Sequence, residues 1–193
     1  MNKKLAIIVF IMLIVCSAKA QFGIGVAGGG LNPGLVKSES SESQFRTGWG
    51  YELFITHNVI KIADTLQIKA RWSYRQYINE IELPYILDTW FTFKYLTLNF
   101  LVDFYEFNNF ALYTGLGASL VSARANRDFF DYTETTFVPE LDLGLKWILS
   151  EHYNFFSELS LQYGNISDVF EEDIPLAGFR FVIGAVMYLA EEK

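Results

Sequence analysis

Cysteine is almost absent from this chain. Cys16 is the only one among 193 residues, and it falls in an N-terminal segment that we expect to be removed. Without Cys16 the chain has no disulfide, no thiolate nucleophile and no cysteine metal site. Histidine is nearly as scarce, since only His57 and His152 occur. No segment after residue 20 shows convincing helical periodicity, so the sequence predicts an all-β fold.

Basic residues are also few. Residues 1–20 contain three of the fifteen lysines and arginines and no acidic residue, so residues 21–193 carry 12 basic against 22 acidic side chains, a net charge of −10. Such an excess of negative charge repels a polyanion. The composition therefore predicts no nucleic acid partner.

The only long apolar run lies at the N-terminus. Lys3 and Lys4 precede apolar residues from Leu5 to Val15, and Ala18-Lys19-Ala20 has the small-x-small pattern of a cleavage site. The run is shorter than the roughly 20 apolar residues that span a bilayer. We interpret residues 1–20 as a secretory signal peptide and residues 21–193 as one domain. A lipoprotein anchored at Cys16 is the alternative, and Val15 disfavours it because a small residue is expected there.

Strict alternation dominates the rest of the chain. From Leu66 to Arg75 every second residue is apolar and the residues between are polar, as in a β-strand with one apolar and one polar face. Eight segments have this character: 22–30, 49–56, 66–75, 95–104, 110–120, 140–147, 155–163 and 179–189. Lys94 interrupts the apolar face of the fourth segment, and a bulge or a strand end above the lipid would accommodate it.

The connections alternate in length. Those near residues 31–48, 76–90, 122–138 and 165–177 are long and polar, whereas those near 57–65, 106–109 and 150–152 are shorter. Long loops at one end and short turns at the other are typical of outer-membrane barrels whose termini lie in the periplasm. The sequence thus predicts an eight-stranded antiparallel up-and-down transmembrane β-barrel in the cell outer membrane, with both mature termini periplasmic.

The polar faces of the strands carry balanced charges. The five bases and five acids are Lys69, Arg71, Arg75, Lys146, Arg180, Glu52, Asp103, Glu140, Asp142 and Glu158. Unpaired charges in a low-dielectric interior cost several kcal/mol each. The equal numbers indicate an interior ion network, with lipid outside. In the third segment we expect Ile68, Ala70 and Trp72 to meet lipid.

Aromatic residues cluster at the strand ends. Beside the long loops lie Trp49, Trp72, Tyr74, Trp90, Tyr163 and Phe179, and beside the short turns lie Phe22, Phe104, Phe110, Trp147 and Phe155. Two aromatic girdles at the two interfaces of a bilayer have this distribution. The grouping favours a membrane barrel over a soluble one.

Several short motifs give the chain a resemblance to a known family. They are Ala20 before Gln21-Phe22, Tyr95-Leu96-Thr97-Leu98, Leu112-Tyr113-Thr114-Gly115, and Gly184, Met187 and Leu189 in the last segment. With these the chain resembles the PorT-like and OmpA-like small outer-membrane β-barrels of Gram-negative bacteria. It departs from them at Asn99, where proline is common, and in the extension 190–193. The resemblance implies recognition of the last strand by the barrel-assembly machinery and allows a link to secretion.

The sequence favours a non-enzymatic role. An eight-stranded barrel is just wide enough for side chains to fill, so we expect a charge-paired, filled interior and surface loops that contact a partner. The expected partners are outer-membrane lipid and lipopolysaccharide, the barrel-assembly machinery and envelope or secretion-system proteins. No cofactor, catalytic residue or metal site is indicated. Two alternatives remain open: a soluble periplasmic lipocalin-like carrier, and a small lipid-modifying outer-membrane enzyme, for which His57 and His152 are the candidate bases.

Overall fold

The structure is a computed structural model. It describes residues 22–33, 35–37, 42–44, 46–63, 66–83, 86–127, 130–169 and 172–189. The predicted signal peptide at residues 1–20 lies outside the described residues. Among those residues no helix is long and apolar enough to cross a membrane.

Eight antiparallel strands close into one barrel, as predicted. Each strand pairs with its neighbours along the chain, and the last pairs with the first. The strands are β1 (Phe22–Asn32), β2 (Gly48–Ala63), β3 (Leu66–Leu83), β4 (Ile86–Phe107), β5 (Phe110–Arg127), β6 (Phe130–Ile148), β7 (Tyr153–Gln162) and β8 (Gly178–Tyr188).

The strand register fixes the tilt and width of the barrel. The row of paired residues that leaves β8 at Gly178 passes through every strand and returns to β8 at Tyr188. This offset of ten residues over eight strands corresponds to a strand tilt of about 40° and a backbone radius of about 8 Å. A barrel of that radius has room inside for side chains but not for a wide channel.

The barrel is taller on one side than on the other. Strands β3 to β6 continue well beyond the level at which β7 ends and β8 begins, and they form two long hairpins that we call the wall. From Lys94 to Ile86, β4 rises roughly 20 Å along the barrel axis at this tilt. Two small hairpins, Leu35–Lys37 with Glu42–Gln44 and Asn165–Val169 with Glu172–Pro175, stand beside the wall.

Several of the predicted loops are in fact strand. Residues 76–90 and 122–138 were expected to be long loops, but β3 runs to Leu83, β4 starts at Ile86, and β5 and β6 extend to Arg127 and from Phe130. The predicted short turns at 57–65 and 106–109 are shorter still, because β2 and β4 continue to Ala63 and Phe107. Lys94 therefore lies within a continuous strand, at neither a strand end nor a bulge.

The alternation of β3 to β6 inverts where the wall begins. Below this level apolar side chains face outward. Above it exposed positions such as Lys94 and Arg124 are polar, with Ile78 and Trp90 as exposed apolar exceptions, and buried apolar side chains such as Phe93 and Val121 face inward. The inversion begins at one row of hydrogen-bonded neighbours, Gln76, Lys94, Ser122 and Thr135. This row marks the end of the apolar outer surface.

Candidate functional site

The outer surface of the barrel is a continuous apolar belt. On β8 the outward residues from Phe179 to Leu189 are mostly large, apolar and about half exposed. They span roughly 25 Å along the axis, the height of the lipid-facing band of outer-membrane barrels. On β6, Leu141, Leu143 and Leu145 continue the same surface. This belt is the part of the molecule that requires an apolar environment.

Two expectations for the outer face are wrong. Ala70 is at an outward position of β3, as predicted. It is only 3% exposed, however, because it is a small residue paired with the larger His57 and Phe100 on the neighbouring strands. Trp90 does not join the upper aromatic girdle, since it lies four residues beyond Lys94 on the wall. Trp49, Tyr163 and Phe179 are exposed near the rim.

The ten charged residues predicted for the interior all lie inside the barrel. Nine are buried, and Lys69 has a side chain that is 12% exposed. They form two groups. The central group contains Arg71, Arg75, Arg180, Glu52, Glu140, Asp142 and Glu158, with one excess negative charge. The lower group, nearer the short turns, contains Lys69, Lys146 and Asp103, with one excess positive charge.

Arg180 links the largest number of partners in the central group. Its Nη1 donates to Glu52 Oε2 at 2.6 Å, and its Nη2 donates to Glu158 Oε1 and Ser160 Oγ, both at 2.6 Å. Because Glu52 lies on β2, its bond to Arg180 on β8 crosses the junction of the first and last strands, whereas Glu158 lies on the neighbouring strand β7. Charge-assisted hydrogen bonds of this kind are stronger than neutral ones.

Arg75 extends the central group toward β6. Its Nη1 donates to Glu140 Oε2 at 2.6 Å, while its Nε lies 3.2 Å from Glu52 Oε2. Asp142 is held less tightly: it accepts from Asn99 Nδ2, and its Oδ1 is 3.7 Å from Arg180 Nη2. The excess negative charge of the group is thus centred on Asp142.

Arg71 sits in an aromatic cage. Its guanidinium carbon lies 5.0, 5.8 and 5.3 Å from the ring centres of Phe54, Tyr113 and Phe156, within cation–π range. The Nη1 atom donates to Glu158 Oε2 at 2.6 Å, and Tyr113 Oη donates to the same oxygen at 2.8 Å. Aromatic faces and one carboxylate together replace the water that a buried guanidinium loses.

Each ring of the cage lies over a glycine on the adjacent strand. Phe54 pairs with Gly25, Tyr113 with Gly144 and Phe156 with Gly184. A Cβ atom added at these glycines would come within 2.1, 2.0 and 2.6 Å of the respective rings. The inward glycines therefore provide the space for the three rings.

The lower group closes the barrel near the short turns. Lys146 Nζ donates to both oxygens of Asp103, at 2.7 and 2.8 Å, and Lys69 Nζ donates to Asp103 Oδ2 at 2.8 Å. Lys69 also lies 5.9 Å from the ring centre of Tyr188. The cavity between these residues and the aromatic cage has a volume of about 30 Å³, room for one or two water molecules.

An apolar plug closes the opposite end of the barrel. The plug consists of the buried residues Leu31, Tyr77, Phe91, Phe93, Tyr95, Val121, Ala123, Val138 and Leu176. Leu176 comes from the segment between β7 and β8, and the others come from the strands around the upper rim. With the plug above and the lysines below, the described interior contains no wide path for solutes.

Sequence reasoning located the charges but missed the cage and the plug. The paired glycines were visible as alternate small residues on the polar faces, but which ring covers each depends on the register. The plug was missed because most of its residues, Leu31, Tyr77, Ala123, Val138 and Leu176, fall in segments predicted to be loops. A signal existed in Phe91 and Phe93. Apolar and polar residues continue to alternate there along β4, but the apolar residues now occupy the inward positions.

The candidate catalytic residues do not form a site. His57 is on the outer face near the short turns, where it stacks on Phe22 with ring centres 5.7 Å apart, and His152 is exposed in the turn before β7. No group of histidine, cysteine or acidic residues in the described ranges is arranged to hold a metal ion.

Several solved structures of bacterial outer-membrane proteins share this fold. No protein-family model matches the sequence, and no curated protein matches it. Neisserial surface protein A is similar with a TM-score of 0.61 at 15% identity, over 87% of this chain and 97% of that one. OprG of Pseudomonas aeruginosa gives 0.57 at 13% identity over 88% and 96%. A major outer membrane protein of Thermus thermophilus gives 0.56 at 12% over 88% and 99%. The chain thus has the fold of small outer-membrane β-barrels.

Proposed function

We propose that this chain is an integral outer-membrane protein that acts through its external surface and neither transports solutes nor catalyses a reaction. In this proposal the long hairpins face outward and both termini lie in the periplasm after removal of residues 1–20. One observation carries it: apolar side chains cover the outside between two rims while ten charged side chains fill the inside. Only lipid outside the barrel stabilises that distribution.

The wall is the surface that we assign to interaction. It is built of paired strands rather than of irregular loops, so its backbone is already ordered before any partner arrives. A preordered surface loses less conformational entropy on binding. Outward polar residues alternate there with exposed Ile78 and Trp90, a mixture typical of protein-protein contacts. The partner class we favour is another envelope protein, including components of a secretion system.

The alternatives fit the geometry less well. A lipocalin-like carrier requires an apolar, open interior, whereas this interior is charged and filled by its own side chains. A lipid-modifying enzyme requires a base beside the substrate bond, whereas His57 and His152 lie apart near the short-turn end.

Fractionation of cells tests the proposed location. We expect the protein in the outer-membrane fraction, resistant to extraction by high salt, and with a gel mobility that changes on boiling, as for a folded barrel. We also expect planar bilayers with the purified protein to show no steady conductance, because the plug and the lysine pair close both ends. Release with the periplasmic fraction would contradict the proposal, and a stable open channel would contradict the sealed interior.

A role in secretion or surface assembly is tested separately. A deletion strain would be complemented with the full chain or with a chain in which an Asn-Gly turn replaces residues 79–91, so that the β3–β4 hairpin of the wall is shortened. We expect the shortened chain to fold, shown by a gel mobility that changes on boiling. We expect that it does not restore the secretion or surface assembly that the deletion strain has lost. Full complementation by the shortened chain would contradict the assignment of the wall.

A further inference from the structure

We propose that the outer wall of β3 to β6 binds a phosphorylated glycolipid of the outer leaflet, with Lys94 and Arg124 on its phosphate and an acyl chain in the groove below. This inference rests on the proposed outer-membrane location and adds a site to it. It comes from two features that lie next to each other: an inclined apolar groove and a pair of outward cations at its upper edge.

The groove lies between two parallel rows of outward side chains. The first row runs through Ile24, Ile55, Trp72, Leu98 and Ala118, and the second through Val26, Leu53, Tyr74, Leu96, Leu120 and Phe137. All of these residues line one open groove of about 720 Å³. Because rows of paired residues are inclined to the barrel axis, the groove climbs from mid-membrane on β1 to the upper rim on β6. An extended acyl chain matches its length and polarity.

Lys94 stands directly above the second row, and Arg124 stands one step higher on the neighbouring strand. Lys94 follows Leu96 on the outward face of β4, and Arg124 lies on β5 two residues beyond Ser122, which pairs with Lys94. Diagonal neighbours of this kind are about 7–8 Å apart between Cα atoms, so both long side chains can reach one phosphate. Each is exposed. Basic residues at a membrane surface attract anionic lipid headgroups.

The residues around the cations favour a sugar over a simple phospholipid headgroup. Gln76, Thr92, Ser122 and Thr135 surround Lys94 and Arg124 in the register. Their uncharged amide and hydroxyl groups both donate and accept hydrogen bonds. Such groups complement sugar hydroxyls both as donors and as acceptors, whereas a phosphate would use them only as donors. The belt below holds no competing charge: outward residues of β4 from Leu96 to Phe104 are all apolar.

Lipid binding by purified protein tests the site. The folded protein in a neutral detergent would be titrated with lipid A, with dephosphorylated lipid A and with phosphatidylglycerol, and bound lipid counted by native mass spectrometry. We expect tightest binding of lipid A. Lys94→Gln is expected to weaken it roughly fivefold, as for loss of one cation near a membrane surface, while Lys94→Arg retains it. Neither change is expected to affect the dephosphorylated lipid.

Matched variants separate the site from general effects. Arg46→Gln removes another exposed cation near the rim, and Leu143→Phe enlarges an exposed residue of the belt outside the groove; both should leave lipid A binding unchanged. Ala118→Phe fills the groove and should weaken the binding of both forms of lipid A. Equal weakening by Arg46→Gln and Lys94→Gln would overturn the proposal, and so would equal or tighter binding of phosphatidylglycerol.

The two levels of the proposal fail in different ways. A wild-type protein without heat-modifiable mobility or outer-membrane location would contradict the proposed function itself. A correctly located, heat-modifiable protein whose lipid A binding ignores Lys94 and Ala118 would overturn only the glycolipid site.

Discussion

Single glycines decide whether the interior of this barrel can be filled. The ring of Tyr113 occupies the space that a side chain at residue 144 would need, and Phe54 and Phe156 use Gly25 and Gly184 in the same way. The three rings in turn surround Arg71. Each glycine is therefore as necessary to the buried arginine as the acid that pairs with it.

Substitution of Gly144 tests this directly. Gly144→Ala places a Cβ atom within 2.0 Å of the Tyr113 ring, so we expect a loss of about 1–3 kcal/mol in the free energy of unfolding, typical of overpacking. Gly28→Ala is the matched control, because a Cβ there meets only Gly50 O at 3.7 Å. Urea unfolding in lipid vesicles measures both. Equal stability of the two variants would contradict the cage.

Arg180 is the residue whose loss should cost most. Arg180→Met leaves Glu52 and Glu158 buried with fewer partners, and removal of one member of a buried ion pair costs about 3–5 kcal/mol. Arg46→Met removes an exposed partner of Glu80, with a 58% exposed side chain, and should cost less than about 1 kcal/mol. The same unfolding measurement compares them, and a smaller effect at Arg180 than at Arg46 would refute the network.

At the scale of the strand, the alternation of apolar and polar residues predicts where the strands lie. It does not predict the level at which the apolar residues change from the outward to the inward face. The eight strands were predictable because membrane-facing and interior positions alternate without interruption between the rims. The upper halves of β3 to β6 were not, since outside the lipid the apolar residues turn inward while the strand continues. Lys94 looked like an error in the apolar face, whereas it is the first residue of the opposite pattern. The sequence alone does not show which residues pair across strands. The pairing in the structure shows that Gln76, Lys94, Ser122 and Thr135 form one row.

The depth of a substitution along a strand should set its effect. Leu116 on β5 is 67% exposed in the middle of the belt. Leu116→Arg should therefore cost about 2–4 kcal/mol, as for an arginine at mid-bilayer depth. Thr135 on β6 is exposed in the row where the pattern inverts, so Thr135→Arg should be nearly neutral. The fraction of heat-modifiable protein after refolding into vesicles measures both variants. The opposite order would mean that the apolar face does not meet lipid.

At the scale of the whole molecule, the wall makes the barrel directional. Its strands rise on the side of β3 to β6, whereas β7, β8 and β1 end near the rim. A protease site inserted between the wall strands β5 and β6 should be cut in intact cells. The same site inserted at the turn Asn108-Asn109 should be cut only after the outer membrane is permeabilised. Cleavage at Asn108-Asn109 in intact cells, and at the other site only after permeabilisation, would contradict the orientation that we propose.

Closure of the barrel has a consequence for the order of folding. Seven of the eight strand junctions join neighbours along the chain, and only the eighth brings together distant residues, such as Gly23 and Tyr188. Non-local contacts form slowly because a long loop must close first. Arg180 on β8 meets Glu52 on β2 across that last junction, so the central charges lose their water only when the ring closes. Until that junction forms, the first and last strands each have an unpaired edge and Arg180 lacks its partner Glu52.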